Sequence, residues 1–258
     1  GVFVHKVPST PEDQSVGVIT GVREICELAG VKPADIGLIF HGTTVATNAV
    51  LEYDGAEVGM VTTRGYRDIL HMARHKRPHN FSMHFDVPWQ SRPLVRRRNR
   101  IPVTERVMPP SGVIETPLAE DEVREAAELF GARGIDSVIV CFLFSFLNRS
   151  HELRAKELIK DVLPDAYVSC SHEIADVLRE YERFSTTVIN AFLQPEVSRY
   201  MDKLSRALGN VAPNAKLGIF QSSGGLMSVG KATEFPVRTA LSGPAAGAVG
   251  AAAAGAAS

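Results

Sequence analysis

The side chains best suited to chemistry in this sequence sit in four short turns rich in glycine and hydroxyl groups. His41-Gly42-Thr43-Thr44 offers an imidazole, two hydroxyls and a residue without a side chain. Thr62-Thr63-Arg64-Gly65 adds a guanidinium, Gln221-Ser222-Ser223-Gly224-Gly225 adds two more hydroxyls, and Ser242-Gly243-Pro244 completes the series. Each follows a run that reads as a strand: Leu38–Phe40, Glu57–Thr62, Lys216–Phe220 and Val237–Leu241. In open α/β sheets the loops at the carboxyl ends of the strands line the ligand crevice. The free N–H groups of a helix's first turn attract anions there. Parallel strands would gather the four turns on one edge, where a phosphate or carboxylate pocket can form. Taken singly, a turn of Gly and Ser is also an ordinary turn, and Thr is a common helix cap. No Walker-type or dinucleotide glycine fingerprint is present.

Other candidates are less complete. His71 and His75 are four apart, a spacing that can set two metal ligands on one helix face, and His79 and His84 follow Pro78. Zinc normally takes three or four protein ligands, so hydrogen-bonded or exposed histidines are the competing reading. The run Arg96-Arg97-Arg98-Asn99-Arg100 with Trp89 nearby suggests a nucleic-acid groove. The net charge of −1 argues for a solvated face or subunit contact instead, without nucleic acid. Ser222-Ser223-Gly224 is not a nucleophile elbow. Cys26, Cys141 and Cys170 lie in apolar contexts and read as buried reduced thiols, which implies a cytoplasmic address. No apolar run is long enough to span a bilayer, so no membrane association is expected.

Elements that could position these groups alternate along the chain. The 258 residues are 45% hydrophobic and 22% charged, enough for a substantial core. Ser9-Thr10-Pro11-Glu12-Asp13 reads as a helix start, with a hydroxyl cap and Pro at the first helical position. Helices are expected at 45–51, Tyr66 to Ala73, 119–132, 149–162 (capped by Asn148) and about 174–208, the last divided by Pro195. Ser137–Phe146 is nearly all apolar, as a central strand buried on both faces should be. After Ser242 comes a helix of small residues, with Gly243, Gly247, Gly250 and Gly255 allowing another backbone to approach. The expected organisation is an α/β lobe begun by 1–73 and resumed over 119–241. An Arg/Pro-rich insertion at 74–118 carries a small antiparallel element, and the small-residue helix spans 242–258.

Several strings together are more specific than any one turn: HGTTVATNAVLE (41–52), VGMVTTRGYRDIL (58–70), CFLFSFLNRSHE (141–152), EYERFSTTVINAFLQPEVSRYM (180–201), QSSGGLM (221–227) and VRTALSGPAAGAVGA (237–251). In this order they resemble the hydantoinase A family, which includes ATP-dependent hydantoinases, 5-oxoprolinases and acetone and acetophenone carboxylase subunits. The resemblance implies a ribonuclease-H-like lobe of the actin-like ATPase superfamily, with a mixed, largely parallel sheet. It implies ATP with Mg²⁺, a hydantoinase B-type partner subunit, and phosphorylation and opening of a cyclic amide such as hydantoin or 5-oxoproline. A ketone carboxylase and a non-catalytic interaction module are the alternatives. On this resemblance His41, Thr43, Thr44 and Arg64 serve catalysis, while Gly42, Asn48, Ser222, Ser223, Gly224, Gly225, Ser242 and Gly243 bind substrate or phosphate. The family's phosphate loops, of Asp-x-Gly-Gly-Thr type, are expected outside residues 1–258, so this stretch alone is expected to be inactive as an ATPase.

Overall fold

A computed structural model describes residues 1–10, 12–76, 81, 85 and 87–257. Its elements run α1 (Gln14–Ala29), β1 (Leu38–His41), α2 (Val45–Glu52), β2 (Val58–Thr63), α3 (Ile69–Met72), α4 (Pro88–Ser91), β3 (Arg100–Val103), β4 (Arg106–Met108), β5 (Val113–Thr116), α5 (Glu120–Ala132), β6 (Ser137–Cys141), α6 (Ser150–Val162), β7 (Tyr167–Cys170), α7 (Ser171–Ile174), α8 (Glu180–Val211), β8 (Lys216–Phe220), β9 (Leu226–Ser228), α9 (Val229–Glu234) and α10 (Ser242–Ala257). Two compact units result, one of Gly1–Asp54 with Glu196–Ser258, the other of Gly55–Pro195. The division of α8 falls at Pro195, which lies inside one continuous helix rather than between two.

In the first unit β1 and β8 are parallel neighbours, and β9 returns antiparallel to β8 through a hairpin. The C-terminal half of α8 supplies the core stripe of Val197, Tyr200, Met201, Leu204 and Leu208, all buried. The start of α1 differs from expectation. Its cap is Asp13, whose carboxylate accepts from the Ser15 N–H, while the Thr10 hydroxyl reaches forward to accept from the Gly17 N–H. A carboxylate at the N-cap also faces the positive end of the helix dipole. Pro11 lies outside the described residues.

The second unit holds a four-stranded parallel sheet in the order β3-β2-β6-β7. Side chains alternate across β6. Val138 and Val140 join a core with Val123, Ala127, Phe130, Leu158 and Ile159 of α5 and α6. From the same strand, the Ser137 hydroxyl donates to the Ala191 carbonyl of α8. Burying each large aliphatic or aromatic side chain contributes about 1.5–3 kcal/mol, so this two-sided strand is a major source of stability. Gly59 is required by the packing: a Cβ there would sit 2.9 Å from the Phe130 ring. The strand is shorter than the apolar run that marks it. It ends at Cys141, and Phe144 turns the chain with a φ of 56°. Residues 100–103, grouped by pattern with the 74–118 segment, pair parallel to β2, and the antiparallel element is the β4–β5 hairpin. Among the described residues no helix is long and apolar enough to cross a membrane.

Candidate functional site

Because β1 and β8 are parallel neighbours, the loops leaving their carboxyl ends share one edge. Three of the four sequence turns lie in this unit, and two of them are joined directly. Thr43 and Ser242 lock together, the Thr43 N–H donating to the Ser242 hydroxyl at 3.3 Å and that hydroxyl donating to the Thr43 carbonyl at 3.0 Å. Gly42 is needed for this approach, since a Cβ would lie 2.7 Å from the Cβ of Ala246. Gly243 lies close against Thr44, since a Cβ added to it would sit 3.1 Å from the Thr44 methyl carbon. The close approach predicted for the small-residue helix is therefore confined to its first turn. Gly247, Gly250 and Gly255 have open space where a Cβ would go.

The starts of α2 and α10 thus lie together, each with the partial positive charge of a helix N-terminus. Thr44 is the N-cap of α2 without a side-chain bond of its own; the Thr43 hydroxyl, one residue earlier, accepts from the Val45 N–H, and Thr47 accepts from the Leu241 N–H. Thr44 and Asn48 remain exposed on the first turn of α2. Ser222–Gly225 form the exposed β8–β9 turn, with Gly224 and Gly225 at φ of 89° and 78°, where glycine is the residue that fits. The Ser222 hydroxyl donates to the Arg238 carbonyl, which leaves Ser223 as the second hydroxyl of the turn. Val237–Leu241 is not a strand. Pro236–Thr239 form a 3₁₀ turn, because Pro236 fixes its own φ and lacks an N–H for a ladder.

The His41 side chain packs against Tyr200 of α8. Its Nε2 lies 2.7 Å from the Tyr200 hydroxyl of α8, and burial pushes its pKa down from 6.5 to about 4, so the imidazole is neutral. Burial raises the Tyr200 pKa to about 12. Tyr200 was legible in the sequence only as a member of an apolar helical stripe.

Arg64 belongs to the other unit, where its side chain bonds to Thr104 and pairs with Glu122 at 2.8 Å. There the carboxyl edge of the parallel sheet is filled by side chains that sequence reasoning missed. Neighbouring residues at the start of α6 reach opposite ways. His151 bonds Glu105, which accepts from the Thr63 hydroxyl, while Glu152 accepts from the Phe142 N–H, the Ser171 hydroxyl, and the N–H and Nδ1 of His172. Arg183, fully buried, donates to the Phe142 and Val177 carbonyls and the Ser171 hydroxyl. Glu152, Cys170 and His172 present three potential metal-ligand atoms within 4.8 Å. The Glu152 carboxylate is already saturated by four donors, and burial keeps the Cys170 thiol protonated, so the cluster reads as a structural clasp. His71 lies in α3 but His75 lies past its end, so they do not share a helix face; His79 and His84 lie outside the described residues. The basic run splits: Arg97 and Arg98 pair with Asp68 and Glu57 at the surface, while Arg100 is buried against the Val95 carbonyl. All three cysteines are buried free thiols.

Two family models match the chain. One, described as the hydantoinase/oxoprolinase N-terminal region, covers residues 1–163; the other, described as hydantoinase/oxoprolinase, covers residues 183–258. The chain is 34% identical over 250 residues to the caprolactamase subunit alpha of Pseudomonas jessenii, an alignment covering 95% of this chain and 35% of that one. It is 30% identical over 267 residues to the acetophenone carboxylase gamma subunit of Aromatoleum aromaticum, covering 96% and 36%. The crystal structure of the ATP-dependent caprolactamase from Pseudomonas jessenii superposes with a TM-score of 0.80 at 31% identity, covering 93% of this chain and 36% of that one. The chain thus spans little more than a third of the length of these relatives.

Proposed function

The chain belongs to the hydantoinase/oxoprolinase family, and from that premise we propose that it contributes to an ATP-dependent hydrolase that phosphorylates and opens a cyclic amide of the hydantoin or 5-oxoproline type. One observation carries the reading: the locking of Thr43 to Ser242, which brings two helix N-termini and the Gly42–Thr44 backbone to one place. Such a donor set fits a phosphoryl group, because backbone N–H groups and helix dipoles stabilise its charge without needing a cation. ATP supplies the phosphoryl group that converts the amide oxygen into part of a leaving group. Thr43, Thr44, Gly42, Gly243 and Ser242 hold that group, while Asn48 and the Ser222–Gly225 turn line the same edge. His41 supports the loop from beneath. Arg64 is assigned separately to charge stabilisation. Mg²⁺ is expected with the nucleotide, a hydantoinase B-type subunit as partner, and the cytoplasm as location.

The test is turnover by the full-length protein with its partner. Thr43→Ala and Arg64→Ala are each expected to lower kcat/KM at least tenfold, the size of one lost charge-stabilising contact. Unchanged turnover in both variants sinks the site assignment. The similarity to a carboxylase subunit favours a second reading, in which the phosphorylated groups are a ketone enolate and bicarbonate. ATP consumption that depends on bicarbonate selects it over the hydrolase.

A further inference from the structure

Between the turn after α3 and the start of α8, the second unit opens into a cleft of about 720 Å³. Pockets that take small molecules measure about 300–1,000 Å³ and combine an apolar wall with a few polar groups. Here the apolar wall comes from Tyr66, Ile69, Met72 and Tyr181. Tyr66 is 38% exposed and Met72 is 43% exposed, so both leave surface for a ligand to cover. The wall is braced: the His71 carbonyl of α3 accepts from the Trp89 indole N–H at 3.2 Å and from the Gln90 amide at 2.9 Å. Just past α3, Ala73 sits at φ 51° and ψ −132°, and His75 at φ 53°, where residues with a side chain are rarely found. Strain of this kind persists only where the surroundings hold it, and it gathers at ligand clamps. Arg74, between the two, reaches the opposite wall. Its Nε donates to Glu182 at 2.6 Å, and its guanidinium carbon lies 5.4 Å from the centre of the Tyr181 ring.

The charges around the cleft do not cancel. Arg74 and Glu182 offset each other, which leaves the cations of Lys76 and Arg179 against the single carboxylate of Glu180. Among the described residues neither Lys76 nor Arg179 has an ion-pair partner. Glu180 and Glu182 have a structural role, since acids in the first turn of α8 face the positive end of its dipole. Arg179 stands just before that end, where the helix does not favour a cation. We propose that this cleft binds a compact ring bearing one carboxylate, with Arg179 and Lys76 taking the carboxylate and Tyr66, Met72 and Tyr181 covering the ring. A guanidinium can hold both carboxylate oxygens through two parallel N–H bonds, and an ammonium adds a point charge. The choice of ring rests on the cyclic-amide reading given above, and the cleft separates the two amides named there. 5-Oxoproline carries a carboxylate on its ring, whereas hydantoin carries none. The cleft therefore selects an acid-bearing lactam over a neutral one.

The experiment is calorimetric titration of the full-length chain with its partner, without ATP, using 5-oxoproline and hydantoin as probes. 5-Oxoproline is expected to bind at least about tenfold more tightly, the size of one charge-assisted contact. Arg179→Gln and Lys76→Gln should each weaken 5-oxoproline binding about tenfold and leave hydantoin binding unchanged. Both side chains are exposed, so both variants should fold. Equal affinity for the two probes overturns the proposal. So does 5-oxoproline binding that survives both substitutions, or no 5-oxoproline binding at all. Turnover with ATP separates this outcome from the reading beneath it. ATP-dependent opening of hydantoin by a protein that does not bind 5-oxoproline overturns the cleft and leaves the cyclic-amide reading standing. Binding of 5-oxoproline that depends on Arg179 and Lys76, with neither amide opened, supports the cleft as a carboxylate site and removes that reading.

Discussion

At the carboxyl ends of β1 and β8, Thr44, Asn48, Ser223, Gly224 and Gly225 are exposed, and the buried groups behind them, Thr43 and Ser242, are small. At the carboxyl ends of β2, β6 and β7, Thr63, Glu105, His151, Glu152, Ser171 and Arg183 are buried and bonded to one another. Both edges begin in the sequence as a strand followed by hydroxyl residues. They part according to the side chains packed around those residues. The small residues at the first edge bond only within their own loops and helix starts, whereas the long polar side chains at the second reach across strands and helices to one another. A saturated edge contributes stability, and an unsaturated one is available to a ligand.

The sharpest way to break this contrast is Glu152→Ala. Four donors, two of them backbone N–H groups, lose their acceptor in a buried place. Stripping the partner from a buried charged network costs about 3–5 kcal/mol. Denaturant unfolding of the full-length protein should show that loss, while turnover per folded molecule stays within about twofold of wild type. A loss under about 1 kcal/mol means that water already satisfies these groups and the edge is not closed.

Next in size is Gly42→Ala at the open edge. The new methyl meets Ala246 at 2.7 Å and the Ser242 carbonyl at 3.2 Å, so the loop must move away from α10. Overpacking of this kind costs about 1–3 kcal/mol. Here turnover should fall with stability, by tenfold or more. Gly247→Ala is the matched control: its Cβ meets nothing within 4 Å, and replacing a helical Gly by Ala should stabilise by about 0.5–1 kcal/mol. Equal effects from the two substitutions would mean that the first turn of α10 holds no special place.

The contrast also marks where the sequence stops being informative. Local signals carried far. The face Val123, Ala126, Ala127 and Phe130 is buried as its 3.6-residue period requires, and Asn148 accepts from the Ser150 N–H at the head of α6. The strand at 216–220 lies where the sequence places it. The turns at 41–44, 221–225 and 242–244 were legible as hydroxyl-rich turns, but the pairing of the first with the last across 199 positions was not, because periodicity records only which face is apolar. For the same reason Tyr200 looked like core, and Glu105, His151, Glu152 and His172 did not stand out. The four turns were expected on one edge, yet the strands before Thr44 and Arg64 belong to different sheets. Strand partnership is decided by long-range register, which a single strand's composition does not encode.

A pH series sharpens the comparison from the buried side of the open edge. The folded His41 pKa of about 4 lies below the ordinary 6.5. The unfolded imidazole takes a proton as pH falls below 6.5, whereas the folded one stays neutral until about 4. Stability from this residue is therefore intact above pH 6.5 and declines steadily down to about 4, by roughly 3 kcal/mol in all. Unfolding measurements on wild type and His41→Gln should diverge across that window and run parallel above it. Parallel curves throughout would show that His41 reaches water.

The smallest expected stability effect belongs to Arg64→Ala, and its smallness is what makes it useful. The Arg64 side chain is 55% exposed and that of Glu122 is 34% exposed, so their contact at 2.8 Å is a surface pair. Such pairs contribute about 0–1 kcal/mol. Glu122 does not depend on Arg64 for a partner, since it also accepts from the Thr104 N–H. Arg64 is thus beside the saturated edge without being built into it, and removing it should leave unfolding nearly unchanged. If turnover then falls while stability holds, the guanidinium acts on a reacting charge rather than on the fold. If unfolding instead shifts by more than about 1.5 kcal/mol, Arg64 belongs with Glu105, Glu152 and Arg183 as part of the closed network, and its place among the chemical candidates is lost.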